Sequence, residues 1–357
     1  MKVLYATNMY PSDYKPFSGI FIKEQIEMLH KTFGLKYSIV TGGGSNNNPI
    51  IIIKKYLVFF FKIFWNCTFN KFDIIHAHFS YPTGFITLLS KIFNSSKFIL
   101  TVHGSDILDT RIHFTSLKYW ANKLTLSFTH AIIAVSENLK NEIIQSYNIP
   151  SEKIHVIDMG VNNDIFFNQT LEPTKSGKEF HFLFIGRFVK VKGFQHIIEA
   201  FRHIIINDPD LFFKCTVIGT GADEENYKAT ITHYNLEKYF DFIGPKKQSD
   251  IALWMNKVDT VIIPSQAEGF GLVAIESLAC GTPVIGSAVG IMPSIIKNDL
   301  NGFLFQPENN YDLATKIKFA MTNKTNISIN NCIKSVIPYS QNFKVKQTFN
   351  LYERAVL

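Results

Sequence analysis

One stretch of the chain indicates an α/β architecture: Val261-Ile-Ile-Pro-Ser-Gln-Ala-Glu-Gly-Phe-Gly-Leu-Val-Ala-Ile-Glu-Ser-Leu-Ala-Cys-Gly281. Its first residues are apolar and β-branched, which predicts a short buried strand over 261–264. Leu272–Cys280 has helix-forming composition and is followed by Gly281, a residue that commonly ends helices. The sequence therefore predicts a strand, a glycine-containing turn and a helix in direct succession.

The turn of this unit has the composition of an anion site. Gly269 and Gly271 remove side chains where the backbone must approach another group, and the following helix presents unpaired N–H groups and a positive dipole end. Such a helix start binds phosphate. Glu268 and Glu276 flank the turn, and carboxylates accept hydrogen bonds from hydroxyls. A ligand with central phosphates and hydroxyl-rich ends fits this pattern; the alternative is a helix start with an acid nearby.

The longer pattern around these glutamates, E-G-F-G-L-x3-E-S-L-A-C-G-T-P-V-I, resembles the motif of glycosyltransferase family 4. The resemblance covers nearly the whole chain. It implies a GT-B fold, that is, two doubly wound α/β Rossmann-like domains facing across a cleft. It also implies a retaining enzyme in which Glu276 binds the donor ribose and Glu268 contacts the transferred sugar. The backbone of residues 269–272, which includes Phe270 and Leu272, would hold sugar hydroxyls or phosphate.

Further donor-site residues follow from the same resemblance. Arg187 and Lys192 match a G-R-x4-K-G pattern that clamps a diphosphate, with the Arg fork and the mobile Lys ammonium as donors. Gly219 matches a strand-to-helix loop, and Gly19 a glycine near the donor phosphates. His103 matches an active-site histidine that lies against the donor sugar and assists the positive charge at the anomeric centre.

The length of 357 residues predicts two domains. We expect an N-terminal acceptor-binding domain over 1–165, a linker over 166–178, and a nucleotide-sugar-binding domain over 179–340. A final helix over 341–357 is expected to cross back to the first domain. Two departures from the family pattern weaken its local predictions: Asp158-Met159 replaces the usual Pro-Asn, and the loop 289–294 has Ile291 and Ser294 in place of a glycine and an acid.

Composition and charge limit the possible partners. Four scattered cysteines indicate neither a disulfide framework nor a zinc site, and the N-terminus lacks a signal-peptide pattern, so we expect a cytoplasmic protein. Residues 1–160 hold 16 Lys and Arg against 10 Asp and Glu, which accounts for six of the net charge of +7. No nucleic-acid motif accompanies this surplus, so an anionic lipid or a phosphorylated acceptor is the expected partner.

Two other groups of polar residues receive structural interpretations. His76 and His78 lie at the end of the predicted strand 73–78, where only position suggests a function, and we expect a structural role. Asp208-Pro-Asp210 has the D-x-D form that holds a metal in other glycosyltransferases, but it precedes a strand and is interpreted as a turn. No metal or other cofactor is expected, because Arg187 and Lys192 can neutralise a leaving diphosphate.

The predicted reaction is transfer of a sugar from a UDP- or GDP-sugar to a hydroxyl of a saccharide or lipid-linked saccharide in cell-surface polysaccharide synthesis. Two alternatives stay open at this stage. One is a nucleotide-sugar epimerase of the same architecture, which needs no acceptor. The other is a non-catalytic member that binds nucleotide sugar.

The most apolar run, Ile50–Trp65, contains three lysines and is too short and too charged to span a bilayer. On a helix, Lys54, Lys55 and Lys62 fall within about 100° of one another. Phe59, Phe60, Ile63 and Phe64 then lie on the far side. Either this helix is a core element or its basic edge and aromatic face dock on the inner face of the cell membrane.

Overall fold

In the computed structural model, the chain forms two compact units: Met1–Gly160 with Gln341–Leu357, and Val161–Ser340. The structure describes residues 1–12, 18–42, 49–91, 94–104, 106–107, 116–169, 179–268, 270–322 and 327–357. Each unit contains one parallel sheet with helices between its strands, which confirms the predicted α/β fold of two Rossmann-like domains.

In its described part, the first unit has a sheet of six strands in the order β2-β1-β3-β4-β5-β6. The strands are β1 (Lys2–Thr7), β2 (Lys36–Thr41), β3 (Ile74–His78), β4 (Lys97–Val102), β5 (Ala131–Ala134) and β6 (Ile154–Val156). The helices are α1 (Ile20–Phe33), α2 (Pro49–Phe69), α3 (Phe85–Ser90), α4 (Leu117–Phe128), α5 (Glu137–Tyr147) and the C-terminal α13 (Gln341–Val356).

The described part of the second unit also has six strands, ordered β12-β11-β10-β7-β8-β9. They are β7 (Phe180–Ile185), β8 (Phe213–Ile218), β9 (Phe240–Phe242), β10 (Thr260–Ile263), β11 (Val284–Ser287) and β12 (Gly302–Phe305). The helices are α6 (Phe194–Asn207), α7 (Glu224–His233), α8 (Gln248–Lys257), α9 (Leu272–Ala279), α10 (Met292–Ile295), α11 (Asn310–Thr322) and α12 (Ile329–Ser335). Strand β10 and helix α9 confirm the strand and helix predicted around the glutamates.

Both sheets reverse their strand order once. In the first unit the order reverses between β1 and β3, and in the second between β7 and β10. Loops leaving the carboxyl ends of the two strands at such a point diverge and leave a crevice, which is where ligands bind in open α/β sheets. We therefore expect ligands to bind at the loops that follow β1 and β3 in the first unit and β7 and β10 in the second.

The C-terminal helix α13 belongs to the first unit, where it packs against α1. Lys344 of α13 forms an ion pair of 2.5 Å with Asp158, and both side chains are largely buried. Asp158 is one of the residues that depart from the family pattern, and here it has a structural role as the partner of Lys344. The first unit ends at Gly160, five residues before the predicted boundary at 165, because Val161 hydrogen-bonds to Tyr339 of the second unit. Of the predicted linker, 170–178 lies outside the described residues.

Helix α2 packs as a core element, which is one of its two predicted roles. Phe59 and Ile63, predicted on the side away from Lys54, Lys55 and Lys62, are buried, and Phe60 and Phe64 are half-buried, whereas Lys54 and Lys62 are exposed. Among the described residues, no helix combines the length and apolarity needed to cross a membrane.

Candidate functional site

The crevice between β7 and β10 is bordered by two loops that contain predicted site residues. The loop after β7 carries Arg187 and Lys192, and the loop after β10 carries Glu268. Because β7 and β10 are neighbouring parallel strands, both loops leave the same edge of the sheet. Lys192 and Glu268, which are 76 positions apart in the sequence, thus lie at the same edge of the sheet.

Lys192 and Glu268 are in direct contact. The Lys192 Nζ donates a hydrogen bond of 2.8 Å to Glu268 Oε2, with side chains 28% and 15% exposed. Ser265 Oγ donates a second bond of 3.2 Å to the same oxygen. Both described partners of this carboxylate use Oε2, so Oε1 is the oxygen through which Glu268 can accept a bond from a ligand hydroxyl.

Close backbone contacts bring these two loops together. Gly193, directly after Lys192, has φ +73°, and a Cβ at this position would lie 1.9 Å from the Pro264 carbonyl oxygen. The Gln266 N–H donates to the Val191 carbonyl over 2.8 Å. Only glycine permits both this conformation and this approach at position 193. The position of Lys192 beside Glu268 therefore depends on the backbone of both loops.

Helix α9 begins at the same edge. Gly271 precedes its first residue with φ +71°, Phe270 is buried, and Leu272 is the first helical residue. Among the described residues, no side chain caps this helix start, so its first N–H groups stay available to a ligand. Glu276 lies one turn into the helix on a partly exposed position. The predicted site residue Gly269 lies outside the described residues.

Gly219 completes the edge on the other side of β7. It has φ +146°, and a Cβ there would lie 1.8 Å from the carbonyl oxygen of Gly186, the residue before Arg187. The Phe188 N–H donates to the Thr220 carbonyl over 3.1 Å. Arg187 itself is solvent-exposed and, within the described part of the chain, forms no ion pair. Its guanidinium is therefore available to an anionic ligand.

Together these residues form a bipolar site in the second unit. Arg187, Lys192 and the start of α9 offer positive charge and N–H donors to phosphate oxygens. Glu268 and Glu276 offer acceptors to hydroxyls. This is the combination expected for a ligand with charged phosphates between hydroxyl-bearing groups.

In the first unit, His103 follows β4 and contacts one residue of β3 and one of α1. One ring nitrogen of His78 hydrogen-bonds with His103 Nε2 over 3.1 Å, and the rings stack. The ring of Phe21, in the first turn of α1, lies 5.3 Å from the His103 ring. Gly19 caps that turn with φ +65°, where a Cβ would lie 2.4 Å from the Met9 carbonyl oxygen. The structure thus places His103 against the first turn of the helix that Gly19 caps.

A buried carboxylate holds the loop after β4. Asp106 accepts backbone N–H bonds from Ser80 (2.6 Å), His103 (3.2 Å) and Gly104 (3.0 Å). Burial raises the pKa of Asp106, and these three donors oppose that shift. Asp106 therefore fixes the backbone of His103 relative to the loop after β3.

His76 and His78, expected to be structural, have different surroundings. His76 is fully bonded, to the Tyr352 hydroxyl at 2.5 Å and to Thr101 Oγ1 at 2.7 Å, as a structural histidine should be. His78 instead contacts His103, and within the described residues its Nε2 is buried without a partner. Sequence reasoning missed this role of His78, as well as the contact of Ser265 with Glu268.

Burial lowers the pKa of all three histidines: that of His76 and of His103 to about 3, and that of His78 well below its usual value. The charge that each protonated ring would place on its neighbours lowers the pKa of His76 and His78 further. All three are therefore neutral at pH 7. His78 and His103 share one proton in their mutual hydrogen bond, so one donates and the other accepts.

We expect the free energy of unfolding to decrease as pH falls below about 6.5. Unfolded histidines bind protons near that pH, whereas the folded ones do not until far lower, so the unfolded state takes up more protons. Each such histidine contributes a slope of on the order of 1 kcal/mol per pH unit. Urea unfolding at pH 7.5 and 5.5 measures this decrease in the free energy of unfolding.

The control for this prediction is His103→Gln, which removes one of the titrating rings. Its unfolding free energy should depend less steeply on pH between 7.5 and 5.5 than that of the unaltered chain. Equal unfolding free energies at the two pH values in the unaltered chain would contradict the histidine assignment.

The D-x-D segment is a turn, as predicted. Asp208 follows α6 at the edge opposite the candidate site and pairs with Lys318 at 2.6 Å. Across the described ranges, no group of three or more His, Cys, Asp or Glu side chains could hold a metal ion. Metal independence of the reaction stays a prediction.

Two family models match consecutive parts of the chain. Residues 37–165 match Glycosyltransferase Family 4, and residues 167–336 match Glycosyl transferases group 1. An uncharacterized glycosyltransferase of Methanocaldococcus jannaschii is 33% identical over 71% of this chain and 66% of its own length. The N-acetyl-alpha-D-glucosaminyl L-malate synthase of Bacillus anthracis is 27% identical over 65% of this chain and 61% of its own. Both matches span less than two thirds of the relative's length.

Solved structures show the same fold at low sequence identity. Sucrose-phosphate synthase from Thermosynechococcus elongatus matches with a TM-score of 0.81 and 19% identity, over 99% of this chain and 98% of that one. HepE of Anabaena, solved in complex with UDP, matches with a TM-score of 0.76 and 18% identity, over 99% and 100%. These neighbours support the GT-B fold.

Proposed function

Because this chain belongs to the group 1 and family 4 glycosyltransferases, we propose that it transfers a sugar, with retention and without a metal, from a nucleoside diphosphate sugar to a hydroxyl. The acceptor is a saccharide or a lipid-linked saccharide of a cell-surface polysaccharide. HepE, a structural neighbour, is solved with UDP-glucose, which supports a UDP-sugar as the first donor to test.

The observation that supports the proposal most is the contact of Lys192 with Glu268 at the switch point of the second sheet, beside Arg187 and the start of α9. A diphosphate placed between Arg187 and Lys192 receives a fork of donors from one side and a mobile ammonium from the other. Glu268 then lies next to the sugar attached to that diphosphate, and Glu276 further along the helix meets the ribose.

These groups act on charge that develops during bond cleavage. As the bond between the anomeric carbon and the diphosphate oxygen breaks, the electron pair stays with the diphosphate, and Arg187 and Lys192 stabilise the added negative charge. The anomeric carbon becomes electron-deficient, the acceptor hydroxyl oxygen bonds to it on the face that the diphosphate leaves, and the hydroxyl proton passes to the diphosphate oxygen. His103 of the first unit matches the family's active-site histidine, and its neutral ring carries no charge that would oppose the developing positive charge.

A thermal stabilisation screen tests the donor class. A ligand that binds the folded chain raises the melting temperature, and the stabilisation grows with the logarithm of the ligand concentration over Kd. UDP, GDP, UDP-glucose and a GDP-sugar are compared at equal concentration, with AMP as a phosphate control. A rise in melting temperature with the UDP ligands or with the GDP ligands supports the proposal. No rise with any of these four ligands contradicts it.

We expect the two glutamates to affect ligand binding differently. Glu276→Ala should weaken binding of the bare nucleoside diphosphate about tenfold, because a ribose contact is present with or without the sugar. Glu268→Ala should leave that affinity unchanged or raise it, since Lys192 loses its intramolecular partner and becomes available to the diphosphate. It should nevertheless lower sugar transfer.

Calorimetry with UDP or GDP measures this difference, and nucleoside diphosphate release from the matching nucleotide sugar measures transfer. Glu199→Ala is a suitable control, because this glutamate of α6 pairs with Arg202 away from the site. Equal losses of nucleotide affinity in the Glu268 and Glu276 variants would overturn the assignment of their roles.

A further inference from the structure

Helix α2 has an apolar outer face in addition to its apolar inner face. Phe59, Ile63 and Cys67 are buried at intervals of four residues and face the sheet. On the opposite side, Phe61 and Trp65 are each more than 60% exposed. Leu57, Val58 and Phe69 are exposed on the same side. A surface helix of a globular domain normally presents charged and polar residues there.

Helix α4 also has an apolar outer side. Its exposed residues Leu117, Trp120, Leu124 and Phe128 follow the spacing of one helical stripe, whereas its buried side includes Asn122 and Thr125. The short helix α3 packs against both α2 and α4, and its Leu89 is exposed. We call the outer sides of α2, α3 and α4 the apolar face. A contiguous apolar face of this kind marks an interaction surface.

The charge on the apolar face has one sign. Helices α2, α3 and α4 contain no Asp or Glu, while α2 carries Lys54, Lys55 and Lys62 and α4 carries Lys118 and Lys123. Between Glu27 and Glu137 the sequence has eleven Lys and Arg against three Asp. Of the described aspartates in this interval, Asp73 and Asp106 accept backbone bonds at strand and loop ends. Lys54 and Lys62 are exposed among the aromatic residues of α2, and the Lys123 ammonium lies 5.3 Å from the Trp120 ring.

We propose that the apolar face binds the surface of an anionic lipid bilayer. Tryptophan and phenylalanine insert at the boundary between headgroups and acyl chains, and lysines among them meet the negative headgroups. A second copy of the chain is the less suitable occupant, because a two-fold contact would oppose two sets of lysines without any carboxylate. This binding is independent of nucleotide sugar and would hold the chain where a lipid-linked acceptor is found.

Vesicle co-sedimentation without nucleotide or acceptor tests the proposal. The full chain should sediment with vesicles of mixed phosphatidylglycerol and phosphatidylcholine, should not sediment with phosphatidylcholine alone, and should be released by salt. The triple variant Lys54→Glu, Lys55→Glu and Lys62→Glu should partition at least about a hundredfold more weakly. Retained binding by this variant would overturn the proposal.

A control variant with the same change in net charge separates the contribution of the apolar face to vesicle binding from that of the overall charge. Lys238, Lys257 and Lys334 are exposed in the second unit, and reversing all three changes the net charge by the same amount. This control should bind vesicles within about twofold of the unaltered chain. A loss as large as that of the α2 variant would mean that overall charge alone drives binding, and the proposal would fail.

Tryptophan fluorescence gives a second readout. The chain has three tryptophans, and Trp254→Phe leaves Trp65 and Trp120, both on the apolar face, as the reporters. Their emission should shift to shorter wavelength on anionic vesicles. The pair Trp65→Ser and Trp120→Ser should weaken partitioning at least about tenfold while the melting temperature is kept, because both side chains are exposed. Self-association that this pair abolishes, without vesicle binding by the unaltered chain, would instead assign the face to a second copy.

Discussion

Lys192→Ala and Arg187→Ala are each expected to lower kcat/KM for sugar transfer by on the order of a hundredfold or more, while the fold is kept. Arg187 is exposed and Lys192 is partly exposed, so neither side chain contributes much to the core. Their effect should come from the leaving diphosphate, whose added charge they stabilise. Nucleoside diphosphate release, with the nucleotide sugar that most raises the melting temperature, measures this loss.

Two neighbouring cations serve as matched controls. Lys190 lies in the same turn as Lys192 and is exposed, and Arg202 pairs with Glu199 on α6. Alanine at either position should change kcat/KM by less than about threefold. Turnover at the unaltered rate in a folded Arg187→Ala, Lys192→Ala double variant would remove both residues from the mechanism.

Part of the loss of transfer in Lys192→Ala is expected to come from Glu268 and not from the diphosphate. The variant leaves Glu268 without its ammonium partner, so a carboxylate that is only 15% exposed loses its counter-charge. A double variant with Glu268→Gln removes that charge as well. Because Glu268→Gln alone is expected to lower transfer, the double variant is compared with that single variant. If Lys192→Ala still lowers transfer in this comparison, the loss arises from the diphosphate and not from the unpaired carboxylate.

The donor-site helix could be predicted from the sequence because its determinants are local. Strand β10, the turn and α9 occupy one continuous stretch, and the sequence places glycine at 271, where the structure has φ +71°. The contact between Lys192 and Glu268 is different in kind. It requires β7 and β10 to be neighbours, and strand order is set by tertiary packing. The family resemblance indicated only that both residues belong to the donor site, and their contact was not predicted.

The pattern of α2 left two roles open, a core element or a helix docked on a membrane. Its helical spacing placed Phe59 and Ile63 opposite Lys54, Lys55 and Lys62, but apolar residues surround the helix, so the pattern alone did not decide which residues stay exposed. The structure buries Phe59 and Ile63, and the lysines share the outer side with Phe61 and Trp65. Similarly, the bond between His78 and His103 joins two strand ends whose adjacency has no local signal.

Gly193→Ala is expected to lower the free energy of unfolding by at least about 3 kcal/mol. A left-handed backbone costs alanine about 1 kcal/mol, and the added Cβ would lie 1.9 Å from the Pro264 carbonyl oxygen. Neither atom belongs to a flexible side chain, so the two loops must separate. That separation would also move Lys192 away from Glu268, so nucleotide binding should fall together with stability.

Gly244→Ala isolates the steric part of this effect. Gly244 lies in the same unit with φ +69°, close to the φ of +73° at Gly193, and a Cβ there would have no atom within 4 Å. Its substitution should therefore cost only the backbone strain of about 1 kcal/mol and leave nucleotide affinity unchanged. Urea unfolding of both variants gives the difference. Equal losses of stability would show that backbone strain alone explains Gly193, and that the close approach to Pro264 does not hold the two loops of the donor site together.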